Sequence, residues 1–240
     1  MSRLCSEVHE SLDKTIVQIC QQLHSQQQGS SDGRLLDIGC WDGIKTRKYA
    51  EELGFNGRFG IEIFDEQIVK AESNGVEIAK LDLESDNFPF EDNFFDVIIC
   101  NQVFEHLKQI YHPLDEIFRV LKPGGHFLFS VPNLSSFHNR IMLLLGLQPS
   151  SIRIFGPHVR AFTYQAFLNF ATYNNNFKLV ESFGVGFYPL PARFGGEFLG
   201  KYLKSMSHTP ILLLQKNDKI YAENQMWNNR IQEHNEQTTF

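Results

Sequence analysis

Residues 35–46 read LLDIGCWDGIKT. An apolar run carries an acid at Asp37, and glycines follow at Gly39 and Gly43 with Trp41 between them. An apolar run closed by a glycine turn, with helical spacing after it, starts a strand–turn–helix unit. The dinucleotide fingerprint Gly-x-Gly-x-x-Gly does not fit this turn. Counted from Gly39, its second and third glycine positions hold Trp41 and Ile44. Asp37 also precedes the turn, where its charge opposes a pyrophosphate and favours a cationic group such as an amino-acid ammonium.

Working outward, the same alternation repeats. RLLDI (34–38), GRFGIEIF (57–64), GVEIAKLD (75–82), FFDVIICN (94–101) and HFLFSVP (126–132) read as strands. Helical spacing covers 46–53, about 66–73, and HPLDEIFRVL (112–121), which stops at the Lys-Pro-Gly-Gly turn. Strands alternating with helices imply a parallel sheet with helices on both faces. After Pro132 the rhythm breaks at an insertion, 134–157, containing the apolar block RIMLLLGL. TYQAFLNFATYN reads as a helix, and FKLVESFGVGF and TPILLLQKN as two more strands. Between these strands lies a second insertion, 187–206, rich in Pro, Gly and aromatic residues. Upstream, Val8, Leu12, Ile16, Ile19 and Leu23 mark an amphipathic helix over 7–24, followed by the polar linker HSQQQGSSDG. The expected organisation is an N-terminal helix and linker (1–32), a main domain (33–217) with both insertions as lids, and a polar tail (218–240).

The strand ends carry the chemistry. In open parallel sheets, ligands bind beyond the carboxyl ends of the strands, at the switch point. Asp37, Glu62, Asp82 and Asn101 fall at or just after four successive strand ends. Gly39 permits a tight turn and close backbone approach. Gly43 leads into a helix whose free N–H groups suit a carboxylate or phosphate. An acid such as Glu62 can accept both ribose hydroxyls, and Asp82 an adenine amino group. A cofactor with adenine, ribose, ammonium and carboxylate fits better than a nicotinamide dinucleotide.

Bulk properties set the frame. The 240 residues are 42% hydrophobic and carry a net charge of −6, which suits a globular α/β domain and argues against a nucleic-acid partner. Four cysteines, Cys5, Cys20, Cys40 and Cys100, lack Cys-x-x-Cys spacing and read as buried thiols of a reducing compartment. MSRLCSEVHE has no signal-peptide apolar region, and no run reaches the length of a bilayer span. The expected location is cytoplasmic, at most peripheral to a membrane.

The set LLDIGCWDG, GIEI, LDLE, FFDVIICNQVFEHL and RVLKPGGHFLFSVPN resembles class I S-adenosylmethionine-dependent methyltransferases. It is most similar to the small-molecule group that includes ubiquinone-type and methionine-biosynthesis-like enzymes. The resemblance is close over 33–133 and looser to 217. It implies a Rossmann-like seven-stranded sheet, mostly parallel with the last strand antiparallel, and S-adenosyl-L-methionine as cofactor, released as S-adenosyl-L-homocysteine. It implies that Asp37, Gly39, Cys40 and Gly43 surround the methionine part, Glu62 and Ile63 the ribose, and Asp82 and Leu83 the adenine. Asn101 and Gln102 would lie near the reacting methyl. Trp41 departs from the commoner Gly-x-Gly-x-Gly form and is expected to turn outward, against the N-terminal helix or over the methionine end.

Methyl transfer from a sulfonium needs alignment and removal of the acceptor's proton. FEHL offers Glu105 and His106 near the fourth strand end, with His106 the candidate base. The acid–x–x–Glu–His metal cluster of ubiquinone-type enzymes has Gln102 at its first position, and an amide weakens a hard-cation site, so no metal is expected. GPHVRAFT (156–163) places His158, as a further catalytic candidate, and Arg160 toward the acceptor, or else gives Arg160 a carboxylate partner and makes Thr163 a helix cap. RIMLLLGL could touch a membrane surface, but eight residues do not establish it. The leading expectation is methylation of a small molecule at oxygen: a natural-product or quinol-like hydroxyl, a carboxyl or a cell-envelope sugar. N- or protein methylation, and cofactor binding without transfer, are the alternatives. A homodimer is open.

Overall fold

The computed structural model describes residues 3–26, 31–190 and 195–217. The polar segment 218–240, four linker residues (27–30) and the side chain of Cys5 lie outside the described residues. The elements in chain order are α1 (Arg3–Gln26), β1 (Arg34–Ile38), α2 (Ile44–Leu53), β2 (Gly57–Ile61), α3 (Asp65–Ser73), β3 (Glu77–Ala79) and β4 (Phe95–Asn101). There follow α4 (Tyr111–Val120), β5 (Leu121–Ser130), α5 (Phe137–Leu144), α6 (Tyr164–Ala171), β6 (Phe177–Val185), α7 (Gly196–Tyr202) and β7 (Thr209–Lys216).

All seven strands form one sheet in the order β3-β2-β1-β4-β5-β7-β6. β7 runs antiparallel to both β5 and β6, and the other pairs are parallel. The strands read as continuous apolar runs because both faces are covered. Leu36, Ile38, Ile98, Cys100, Phe127, Phe129, Leu212 and Leu214 pack with residues of α4 and α6. Their alternates Leu35, Val97, Ile99, Leu128, Ile211 and Leu213 pack with α1 and α2. Alternation puts Asp37 on the face of Leu35, under α1 and α2. Leu12, Ile16, Ile19 and Leu23 of α1 are all buried, as their spacing predicts.

Several boundaries differ from the sequence reading: β2 ends at Ile61, not Phe64, and the largest differences are at β5 and β3. β5 begins at Leu121, not His126, because Lys-Pro-Gly-Gly forms a bulge inside the strand. Phe95 pairs with Leu121, and the next partner, Val97, pairs with His126. Gly125 is required there, since a Cβ would lie 2.8 Å from the Lys122 carbonyl oxygen. β3, at the sheet edge, is only three residues long, which leaves Asp82 in the following bend.

The chain leaves β1 toward β2 and β3, then returns to β4 and β5, so the switch point lies between β1 and β4. Both insertions emerge at that same edge, one after β5 and the other between β6 and β7. They pack on each other: Asn133 Nδ2 donates to the Ser205 and Ser207 carbonyls, and Phe137 stacks on Phe187.

Candidate functional site

The turn after β1 is built on positive φ. Gly39 and Gly43 both have φ near +73°. A Cβ on Gly39 would sit 2.7 Å from Val103 Cγ2, so this turn touches the segment after β4. On Gly43 it would meet Ala71 Cα of α3 at 2.9 Å. Trp41 is held at φ 53° and Gln102 at φ 59°. Two non-glycine residues thus occupy the left-handed region in the loops on either side of the switch point, where backbone strain concentrates at functional sites.

Asp37 is buried, and its Oδ2 accepts the Thr46 hydroxyl from the first turn of α2 at 2.5 Å. Burial raises its pKa to about 7 against the opposing pull of Thr46 and Lys45. A buried acid held close to neutrality is stabilised as a carboxylate by an incoming cation. Thr46 is absent from the sequence-level site; only its place at a helix start, one face across from the strand acid, could have marked it.

Glu62 is also buried. Its Oε1 accepts the Ile63 and Phe64 amides, and its Oε2 accepts the Trp41 amide at 3.0 Å. A carboxylate accepts about four hydrogen bonds, so roughly one position remains, on Oε2. Glu62 therefore ties the first loop to the second and keeps one acceptor position on Oε2. The Trp41 ring is exposed and stands edge-on to Phe64 at 6.0 Å. The indole is turned outward, as expected, and meets the segment after β2. Cys40 is buried, and a Cβ on Gly60 would lie 2.5 Å from its Sγ. Cys20, Cys40 and Cys100 are all free and buried, and burial pushes the Cys20 thiol up to about 12.

Asp82 Oδ1 accepts the Glu84 amide and caps a tight turn, while Leu83 packs against the core beside it. Asn101 Oδ1 accepts the Ser130 hydroxyl, and the Gln102 amide donates to the Ser130 carbonyl.

A second group lies just beyond β4. Glu105 is buried, its Oε2 has no hydrogen-bond partner, and burial lifts its pKa to about 8. The Glu105 carbonyl accepts the amides of Val159 and Arg160, which brings in the segment 52 residues downstream of His106. The His106 and His158 rings are 4.9 Å apart, and the candidate ligand atoms of Glu105, His106 and His158 lie within 4.8 Å of one another. These three could hold a metal ion; Gln102, at the first position of the acid–x–x–Glu–His pattern, brings an uncharged amide. His106 Nδ1 faces the Pro157 carbonyl at 3.2 Å, and His158 Nδ1 the Ser151 carbonyl at 2.8 Å. A carbonyl only accepts, so each Nδ1 carries a proton, and in a neutral ring the lone pair then lies on Nε2. Burial lowers the His106 pKa, which keeps the ring neutral near pH 7.

Arg160 Nη2 donates to the Lys108 carbonyl, and no carboxylate pairs with it among the described residues. Thr163 caps α6, accepting the Ala166 amide. The structure thus groups Asp37, Gly39, Cys40, Gly43, Glu62 and Ile63 in one cluster and Glu105, His106, His158 and Arg160 in another, with Asn101 and Gln102 between them in chain order. No helix among the described residues is long and apolar enough to cross a membrane.

Residues 10–182 match a family model described as a methyltransferase domain. A sterol 24-C-methyltransferase of Schizosaccharomyces pombe is 37% identical over 101 residues, covering 39% of this chain and 26% of that protein. A malonyl-[acyl-carrier protein] O-methyltransferase of Coxiella burnetii is 28% identical over 107 residues, covering 43% and 42%. The curated relatives are thus matched over less than half of their own length. An S-adenosylmethionine-dependent methyltransferase from Mesorhizobium loti has the same fold, with TM-score 0.55 at 16% identity over 81% of this chain and 96% of that one.

Proposed function

We propose that this chain, which belongs to the methyltransferase-domain family as a class I S-adenosylmethionine-dependent methyltransferase, methylates a small-molecule acceptor at oxygen. The observation that carries the choice of oxygen is His106, whose Nδ1 is committed to a carbonyl and whose Nε2 is left as a proton acceptor. A hydroxyl must lose its proton as it is methylated, and a neutral imidazole with a lowered pKa suits that task near neutral pH. The relatives' names cover both carbon and oxygen acceptors.

The residues fit the cofactor. Asp37 is a buried acid near neutrality that an ammonium would hold ionised, and Gly39 and Gly43 leave no Cβ in the turn beside it. Glu62 would hold the ribose through its remaining acceptor position, Asp82 and Leu83 the adenine, and Asn101 and Gln102 the reacting end. When bound, S-adenosylmethionine supplies an activated methyl on a sulfonium. The chain then orients the acceptor against it, and His106 takes the acceptor's proton at Nε2. His158 and Arg160 bound the acceptor side, and the two insertions exclude water from it.

The test is a panel of acceptors bearing hydroxyl, carboxyl, amine and activated-carbon groups, incubated with radiolabelled S-adenosylmethionine. Label on hydroxyl or carboxyl compounds supports the reading. Label on amines or carbon alone would replace it. Cofactor binding without turnover across the panel would favour an accessory role.

A further inference from the structure

We propose that residues 137–155, the α5 excursion after β5, form a docking element that seats the protein on an anionic lipid surface. The excursion has its polarity reversed. The α5 residues turned inward are polar: Asn139 is 1% exposed, and His138 is buried beside it. Asn139 Nδ2 donates to the Asn133 carbonyl and to Ser151 Oγ, and its Oδ1 accepts the Ser150 amide. His138 Nε2 lies 2.6 Å from Ser150 Oγ. The residues turned outward are apolar. Ile141, Leu143, Leu145 and Leu147 are exposed, and Leu144, Ile154 and Phe155 are 85%, 81% and 103% exposed. A helix laid on a core for burial alone has the opposite arrangement, and so many exposed apolar side chains within one short excursion mark an interaction surface.

Charge selects the occupant. The chain carries −6 overall, yet no Asp or Glu occurs between Glu116 and Glu181. Within the excursion, Arg140 and Arg153 are exposed, and among the described residues neither pairs with a carboxylate. Arg140 donates from Nε to the Ser135 carbonyl and from Nη2 to the Ser205 carbonyl, which fixes the guanidinium without neutralising it. Apolar residues flanked by arginines whose charge no carboxylate offsets suit the interface of an anionic bilayer, where side chains enter the acyl boundary and guanidinium groups meet headgroup phosphates. A second copy fits less well, because a two-fold contact through this face would bring its own arginines together. The element is also joined to the site. His158 donates from Nδ1 to the Ser151 carbonyl at the base of the excursion, so a docked surface lies next to the His106–His158 pair.

The test is flotation of the full chain with vesicles of phosphatidylcholine alone or with about a third phosphatidylglycerol, at low and high salt. Three variants are compared: Leu144→Glu, Phe155→Glu and Arg153→Glu. All three alter exposed side chains, and calorimetric affinity for S-adenosylhomocysteine checks that each is folded. The expected result is binding to the anionic vesicles only, weakened about tenfold by each substitution and by high salt. Equal recovery with both vesicle types, no recovery with either, or wild-type partitioning of the folded variants would overturn the proposal. Self-association abolished by Leu144→Glu, without vesicle binding, would overturn it in favour of a second copy.

Discussion

Thr46 Oγ1 donates to Asp37 Oδ2 at 2.5 Å, so the first turn of α2 is hydrogen-bonded to the acid buried in β1. This bond opposes the effect of burial, which nonetheless leaves Asp37 with a pKa of about 7. An ammonium ligand favours the ionised form. Cofactor affinity therefore rises with pH up to about 7 and then levels, by at most about tenfold per pH unit below the pKa. Thr46→Val removes a contact that lowers the pKa, so the rise moves to higher pH. Calorimetric titrations with S-adenosylhomocysteine from about pH 5 to 8 report this directly. A profile that is flat in the wild type would remove Asp37 as the ammonium partner.

As the proposed base, His106 is expected to act on turnover rather than on cofactor binding. With the ring neutral and Nε2 free, His106→Ala lowers kcat by about 10²–10⁴ while leaving the cofactor Kd within a factor of about three. The wild-type kcat has an acid limb below the ordinary histidine value of 6.5, because burial lowers this pKa. The variant loses that limb. Equal rates for both proteins across pH would exclude the base assignment.

Glu105 makes stability pH-dependent. Its folded pKa is about 8 against an ordinary 4.5, because burial disfavours the charge. Below the lower value, both folded and unfolded states hold the proton. Between the two values only the folded state does, so stability falls as pH rises through this window and levels above about 8. The loss is on the order of several kcal/mol. Asp37 contributes a decline of the same sign between 3.8 and about 7. Glu105→Gln removes only its own part, and the melting temperature of the variant therefore falls less steeply with pH. Parallel wild-type and variant curves would show that Glu105 titrates normally.

Gly60 and Cys40 form a steric pair. A Cβ at Gly60 would lie 2.5 Å from Cys40 Sγ and 2.8 Å from Ile78 Cδ1. Gly60→Ala therefore costs about 1–3 kcal/mol and displaces the cofactor loop. Cys40→Ala in the same chain recovers part of that loss. A double-mutant cycle from urea unfolding measures the coupling, and strict additivity would mean the two do not touch.

Much of the fold is legible in the sequence because the central strands are covered on both faces and so spell uninterrupted apolar runs. The edge strand β3 is not, since an exposed edge needs few residues to pair. The Lys122–Gly125 bulge reads as a turn because proline and glycine serve both purposes; only its pairing across β4 distinguishes them. The strand-end acids are legible because each lies within a few residues of its strand's carboxyl end: Asp37 inside β1, Glu62 just after β2 and Asp82 three residues past β3. Their partners are not: Thr46 for Asp37, Phe64 for Trp41 and Ser130 for Asn101 come from other elements, brought close by the sheet. The His106–His158 pair depends on the Glu105 carbonyl receiving a distant strand of chain, which no local spacing encodes.

The proposed cofactor site rests on two acids, Asp37 in β1 and Glu62 just after β2. Isothermal titration of S-adenosylmethionine into the wild type, Asp37→Ala and Glu62→Ala tests it most directly. The expected result is one-to-one micromolar binding to the wild type, weakened at least about thirtyfold, or roughly 2 kcal/mol, by each substitution. No binding to the wild type, or unchanged affinity in both folded variants, would contradict it.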